Sequence, residues 1–375
     1  MTKKNTNIVK GIAILLVYAH HLFYNLDLDE MGVIYGPVFR TGASLNMFGF
    51  FAKVCVSMFV FLSAYGTFKS FASLNIPADS GRYLLATSKN AAKRYVKLLL
   101  SFQFVWILAV VIGRILGHSM FAVFGGHSMA GLFNVLIDFF GVSNIVGTPT
   151  YNGTWWYMSY ALMLVACMPV FSLMCIKLDG MIMVVAFFLI RYLAADFTFS
   201  WYMLTVFAGI LFAKNSYFER ISKAFSQGTL VRKIGILVGC VIALAVFIRM
   251  RCVVQQCWDL LEMLITVLIC VFVNLVIGRI PVLSTVMAFL GKHSMNMFLT
   301  HSFIFYYWFR GFTYSFRHPA LIMAVLVAET LAVSVVVELL KKVLRLDKAA
   351  AALYQKLEPI MFHEPIPSVC NSDKI

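Results

Sequence analysis

Apolar runs of about twenty residues alternate with short polar segments, and this pattern fills almost the whole chain. A bilayer-spanning helix needs about 20 predominantly apolar residues. Ten segments approach or reach that length: 8–25, 48–68, 95–116, 154–176, 181–195, 199–213, 234–250, 258–278, 285–309 and 320–341. The fifth and sixth are short and separated only by Asp196, Phe197 and Thr198, as in a tight helical hairpin. The segment 119–142 is apolar in patches but broken by Gly125, Gly126 and His127, which suits a re-entrant or interfacial piece better than a further span. The pattern predicts an all-α integral membrane protein with about ten transmembrane helices, forming one domain over residues 1–345. Residues 346–375 read as a short tail, with AAAALYQKL as an interfacial helix and the proline-rich polar end as disordered.

Composition strengthens this picture. Of 375 residues, 61% are hydrophobic and 13% charged, and the mean hydropathy is +0.87, so no sizeable soluble domain remains. A net charge of +15 would point to nucleic acid in a soluble chain. Here the basic residues cluster in alternate loops, so no nucleic-acid partner is expected. Lys3 and Lys4, then Lys69, Arg82, Lys89, Lys93 and Arg94, then Lys214, Arg220, Lys223, Arg232 and Lys233, then Lys341, Lys342 and Arg345 all fall on one side if there are ten spans. The positive-inside rule then places both termini in the cytoplasm, and the cell (plasma) membrane is the expected location. Asp27, Asp29 and Glu30 suit the outer side, and with no small-residue cleavage site before them the first span reads as retained. Arg249, Arg251, Arg310 and Arg317 fall on the outer side too; they either snorkel at the interface or meet an anionic ligand there. The eight cysteines show no CxxC pair and no metal-ligand spacing, so no metal is expected. Cys252 and Cys257 flank a short loop that a disulfide would close in an oxidising compartment.

Five stretches carry polar groups that a plain lipid-facing helix would not. The first span holds Lys10 and the pair His20-His21, and ionisable groups inside a membrane are costly enough to be functional candidates. Eleven residues make about three turns, so Lys10 and His21 share a face about 16 Å apart along the axis, whereas His20 points about 100° away from His21. In CVSMFVFLSAYG, residues 55–66, Ser57, Ser63, Ala64 and Gly66 permit close approach of a helix or a ligand. In KRYVKLL, residues 93–99, Arg94 and Lys97 are i, i+3 neighbours, able to hold a phosphate or to contact anionic lipid. In NGTWWYMSY, residues 152–160, Trp155, Trp156 and Tyr157 form either an interfacial aromatic belt or a platform for a sugar ring. In FLGKHSMNMFLTHSF, residues 289–303, His301 follows Ser294 and Asn296 inside a span. A second intramembrane His points to a site shared with His21.

Taken in order, these stretches resemble the membrane acyltransferase-3 family, whose members O-acylate cell-surface carbohydrates. Lys10 and His21 within KGIAILLVYAHH match the family's basic residue, ten intervening positions and His. FVFLSAYG is similar to the Phe-rich stretch ending in Ser-Gly, with Ala64 standing where the family has Gly. KRYVKLL resembles the basic run before the third helix, and TWWYMSYALMLVACMP the aromatic start and terminal Pro of a later one. FLGKHSMNMFLTHSF resembles the Leu-Gly, Ser and His segment near the domain's end. The resemblance covers residues about 5–342 and itself implies ten membrane helices. No appended esterase-like domain is expected, so the membrane domain would complete the transfer itself.

The resemblance implies an O-acetyltransferase that moves an acetyl or other short acyl group from acyl-CoA to a hydroxyl of a surface polysaccharide or lipid-linked glycan. His21 would be the general base, since neutral imidazole is poised near pH 7. His301 would orient it, donate to the oxyanion or contact the acceptor. Lys10, Arg94 and Lys97 would bind the phosphates of acetyl-CoA, a donor substrate rather than a permanently bound cofactor. Trp155 and Trp156, with Ser63, would contact substrate. A transporter or flippase for a glycan or lipid-linked sugar would use the same polar interior without acyl chemistry. Paired broken helices in the two halves would favour it, and the chain shows no such pair.

Overall fold

A bilayer offers no partner for an open backbone N–H or C=O, so a chain this apolar must satisfy those groups within helices. The computed structural model describes residues 1–193, 198–254 and 257–362, and among them it contains helices and no strand. The architecture rests on α1 (Lys3–Phe23), α2 (Gly42–Ala52), α3 (Cys55–Ala72), α4 (Tyr83–Ile115), α5 (Trp156–Leu178), α6 (Met203–Lys214), α7 (Leu230–Val253), α8 (Trp258–Leu275), α9 (Pro281–Ser302), α10 (Pro319–Val343) and α11 (Leu346–Met361).

Among the described residues, seven helices are long and apolar enough to cross a membrane, against the ten read from the sequence. They are α1, the joined α2–α3, α4, α5 with its preceding turn, α7, α8 with its following turn, and α10. The expected spans 181–195 and 199–213 become helices of 13 residues (Met181–Leu193) and 12 residues (α6), too short to cross unaided. Asp196 and Phe197, placed at the tip of that hairpin, lie outside the described residues. α9 has 22 residues, but Lys292, His293, Asn296 and His301 make it too polar to count by hydropathy. Region 119–142 forms the short helices Met120–Phe124 and Met129–Phe139. Gly125 and Gly126 turn the chain between them at φ of 91° and 82°, values that Gly adopts without a Cβ penalty.

In the most apolar stretch of α7 no residue is fully buried in the protein, and much of its surface faces outward. So large an apolar surface belongs against lipid. The centre is organised differently. α1 crosses α9 at backbone contact: a Cβ on Gly11 would lie 2.0 Å from the Met287 carbonyl oxygen, and one on Gly291 1.8 Å from that of Asn7. α1 also touches α2, α3, α8 and α10. Tyr18 donates to Thr330 Oγ1 of α10 at 2.6 Å, and Tyr314 donates to the Leu22 carbonyl at 2.8 Å.

The span expected over 48–68 is two segments. At their junction the amides of Lys53 and Val54 bond to the carbonyls of Phe50 and Phe51, three residues back, so the helix tightens for one 3₁₀ step. Ala64, the departure from the family's Gly, faces α6, where Gly209 makes room for it. The tail begins as expected with a helix, α11, which lies against α4 through Lys97–Asp347 at 2.9 Å and Lys89–Glu358 at 3.4 Å. The remainder of that tail, 363–375, lies outside the described residues. Cys252 and Cys257 are both free thiols.

Candidate active site

Two cavities lie along α1. Toward its start, a cavity of about 520 Å³ is lined by Lys10, Ser63, Arg94 and Lys97, together with Thr6, Gly66, Ser101 and Ser294. Toward its end, a cavity of about 260 Å³ is lined by His20, His21, Lys53, Trp156 and Tyr202 among others. The helical period explains the division, because Lys10 and His21 share a face three turns apart. Other elements then complete each chamber: α3 and α4 at the basic end, and the α2–α3 junction and the start of α5 at the imidazole end.

His301 stands behind His21 rather than on the smaller cavity's lining, with ring centroids 5.1 Å apart. It is fully buried, stacked on Tyr18 at 5.5 Å, and its Nδ1 lies 2.6 Å from the Phe298 carbonyl oxygen. A carbonyl can only accept, so Nδ1 carries the proton and the neutral ring keeps its lone pair on Nε2. That nitrogen is buried without a partner. His20 is held in the same way, Nδ1 at 2.9 Å from the Gly49 carbonyl. Its ring lies 5.0 Å from that of His21.

The basic end is more open. Lys10 and Arg94 are half-buried and Lys97 is exposed. Arg94 donates from Nε to Asn90 Oδ1 at 3.1 Å, which orients its guanidinium. Lys97 carries the ion pair with Asp347 already noted. Lys341, a loop charge by its sequence context, reaches inward instead, donating to Ser101 Oγ at 3.2 Å and Asn296 Oδ1 at 2.8 Å. Asn296 in turn donates to Glu338 at 2.6 Å, so its amide is engaged away from His301.

The two tryptophans part company. Trp156 lines the histidine cavity. Trp155 is 3% exposed, donates its indole N–H to the Leu299 carbonyl at 3.0 Å, and packs edge-on against Phe102 and Phe303. The preceding Asn152 donates to Ser302 at 2.6 Å, so this turn ties the start of α5 to the end of α9. Trp155 therefore sits in the core away from the His21 cavity, with one edge on a small void of about 70 Å³. Periodicity alone offered no means to separate neighbours in a turn.

Lys53 and the Arg251–Glu262 pair carry no motif and were not legible as site residues. Lys53 is half-buried, reaches over the Trp258 ring at 5.7 Å, and lines the cavity because the 3₁₀ step sets it there. Arg251, expected to snorkel outward or to meet a ligand, is instead 2% exposed and paired through Nε with Glu262, which is 0% exposed. Glu262 also accepts from Ser57 Oγ at 2.8 Å, and Arg251 Nη1 donates to the Phe50 carbonyl at 3.2 Å. The pair thus grips the chain on both sides of Lys53. The acidic partner four residues into α8 was the one available signal, since a buried charge seeks its opposite.

The helical membrane fold thus carries a basic chamber and an imidazole chamber along one helix. The model of an acyltransferase domain, that of the acyltransferase-3 family, matches residues 4–339, and the chain belongs to that family. It is a multi-pass membrane acyltransferase. No curated protein and no solved structure matches the chain.

Proposed function

We propose that the protein transfers an acetyl or other short acyl group from cytoplasmic acyl-CoA to a hydroxyl of a cell-surface or lipid-linked carbohydrate. The observation that carries this reading is the pair of cavities on one helix, basic at one end and imidazole-lined at the other, in a chain of this family. In this reading the two short helices, Met181–Leu193 and α6, cross with the support of the helices packed on α6, completing ten crossings of the plasma membrane with both termini in the cytoplasm. The Lys10 end of α1 then faces the cytoplasm and the Trp156 side faces outward.

Lys10, Arg94 and Lys97 hold the donor's phosphates, Arg94 with its forked donors and the lysines as point charges. Ser63 lies on this donor side. His21 takes the proton of the acceptor hydroxyl as its oxygen attacks the thioester carbonyl carbon. The C–S bond breaks, CoA leaves as thiolate, and His21 returns the proton to the sulfur. His301 Nε2 is without a partner behind the His21 ring; a small shift of the rings on substrate binding lets it accept from a His21 ring N–H, which keeps the other His21 nitrogen free as the base. Trp156 supplies the apolar face for the sugar, while Trp155 supports the turn beneath it.

Purified protein incubated with acetyl-labelled acetyl-CoA and membranes carrying the glycan is expected to release free CoA and label the glycan. An inert thioester, or flux of the glycan without acetyl-CoA, would sink the reading in favour of a transporter. Arg94→Ala is expected to raise the KM for acetyl-CoA about 10- to 100-fold, as loss of a charge-assisted contact does, with a smaller change in kcat. An unchanged KM removes Arg94 from the donor site.

A further inference from the structure

Three residues line both cavities: Phe59 of α3, Tyr157 of α5 and Phe298 of α9. The Tyr157 ring lies 6.2 Å from that of Phe59, and 5.6 Å from that of Phe298 at an interplanar angle of 82°. Such separations are aromatic contact distances, with no alkyl-wide gap between the rings. The wall between the basic chamber and the histidine chamber is thus shared among side chains from three separate helices. Phe298 is also tied to the imidazoles, since its carbonyl holds His301 and its ring lies 5.8 Å from that ring.

We infer that Phe59, Tyr157 and Phe298 form an acyl-length filter that restricts the donor to short acyl groups. The inference rests on the proposed acyl transfer and specifies its donor. With the phosphates held at Lys10 and Arg94, the acyl group is the leading end of the donor and must pass these rings to reach His21. Because the thioester carbonyl itself must reach His21, the pantetheine arm parts the rings for every donor alike, and the donors differ in what lies beyond. An acetyl methyl ends there, whereas a longer tail must fit between the three rings and the acceptor sugar in a chamber of about 260 Å³. Packed aromatic rings do not yield further to such a tail because the neighbouring side chains leave little free volume. The Tyr157 ring, rather than its hydroxyl, is the part that blocks.

The test compares two-, four- and eight-carbon acyl-CoAs with the full-length protein in membranes carrying the native glycan, reading released CoA and glycan label. The wild type is expected to favour the two-carbon donor. Tyr157→Ala is expected to raise the eight- to two-carbon rate ratio on the order of tenfold or more, the scale on which apolar pockets discriminate added methylenes. Tyr157→Phe is expected to keep the wild-type ratio. Phe59→Ala supplies an independent opening if Tyr157→Ala does not give a monodisperse protein. A wild type that transfers acetyl while both alanine variants keep its ratio overturns the filter alone. A wild type that transfers no acyl group removes the underlying transferase reading, and the filter with it.

Discussion

His21→Ala is expected to lower acyl transfer by on the order of 10²–10⁴-fold, the usual contribution of a positioned general base. The helical content and melting temperature should stay near those of the wild type. The expectation rests on where the ring sits. His21 lines the smaller cavity, so shortening it enlarges an existing space rather than hollowing the core, and the close crossing of α1 with α9 depends on Gly11 and Gly291 instead. Single-turnover rates at saturating acetyl-CoA, with a melting curve on the same sample, check both halves. Residual transfer within about tenfold of wild type would take the base role away from His21. His20 is the comparison: its Nδ1 is committed to the Gly49 carbonyl, and it lines the same cavity.

The second large effect concerns stability. Arg251→Ala or Glu262→Ala is each expected to destabilise the fold by about 3–5 kcal/mol, the cost of leaving one member of a buried ion pair uncompensated. Both side chains are fully buried, and the pair joins α7 to α8 while bonding to Phe50 and Ser57 on either side of the 3₁₀ step. Removing one partner strands a charge and frees that step, so Lys53 should lose its place in the cavity. The double substitution Arg251→Met with Glu262→Leu should recover most of the stability, because neither buried charge remains. Denaturant or thermal unfolding in detergent measures all three. Equal losses for the single and double variants would mean that packing, not charge, carries the pair.

The residues legible from the sequence are those whose information is local. Lys10 and His21 share a face because eleven residues are three helical turns, and Arg94 and Lys97 are neighbours by the same period. Hydropathy identified the apolar helices, although segments 181–195 and 199–213 proved too short to span unaided, and the polar side chains of α9 hide it from a hydropathy criterion. The split of 48–68 into α2 and α3 had no Pro or Gly at Lys53–Val54 to announce it. Its cause is tertiary, in the grip of Arg251 and Glu262 some 200 positions away. Trp155 and Trp156 are alike as residues and adjacent in sequence. Only the position of Leu299 and Phe303 on another element turns one inward to the core and leaves the other on the cavity.

By itself, then, the sequence determined the helical membrane class, the family, and the basic and imidazole groups set along the first helix, since composition, short-range spacing and ordered motifs are enough for these. The tertiary structure decided which groups meet. The His21–His301 contact, the basic chamber shared by Lys10, Ser63 and Arg94, and the aromatic wall of Phe59, Tyr157 and Phe298 each join helices far apart in the chain. Such contacts depend on how closely the helices cross and how each is rotated about its axis, and no spacing within a single helix encodes either.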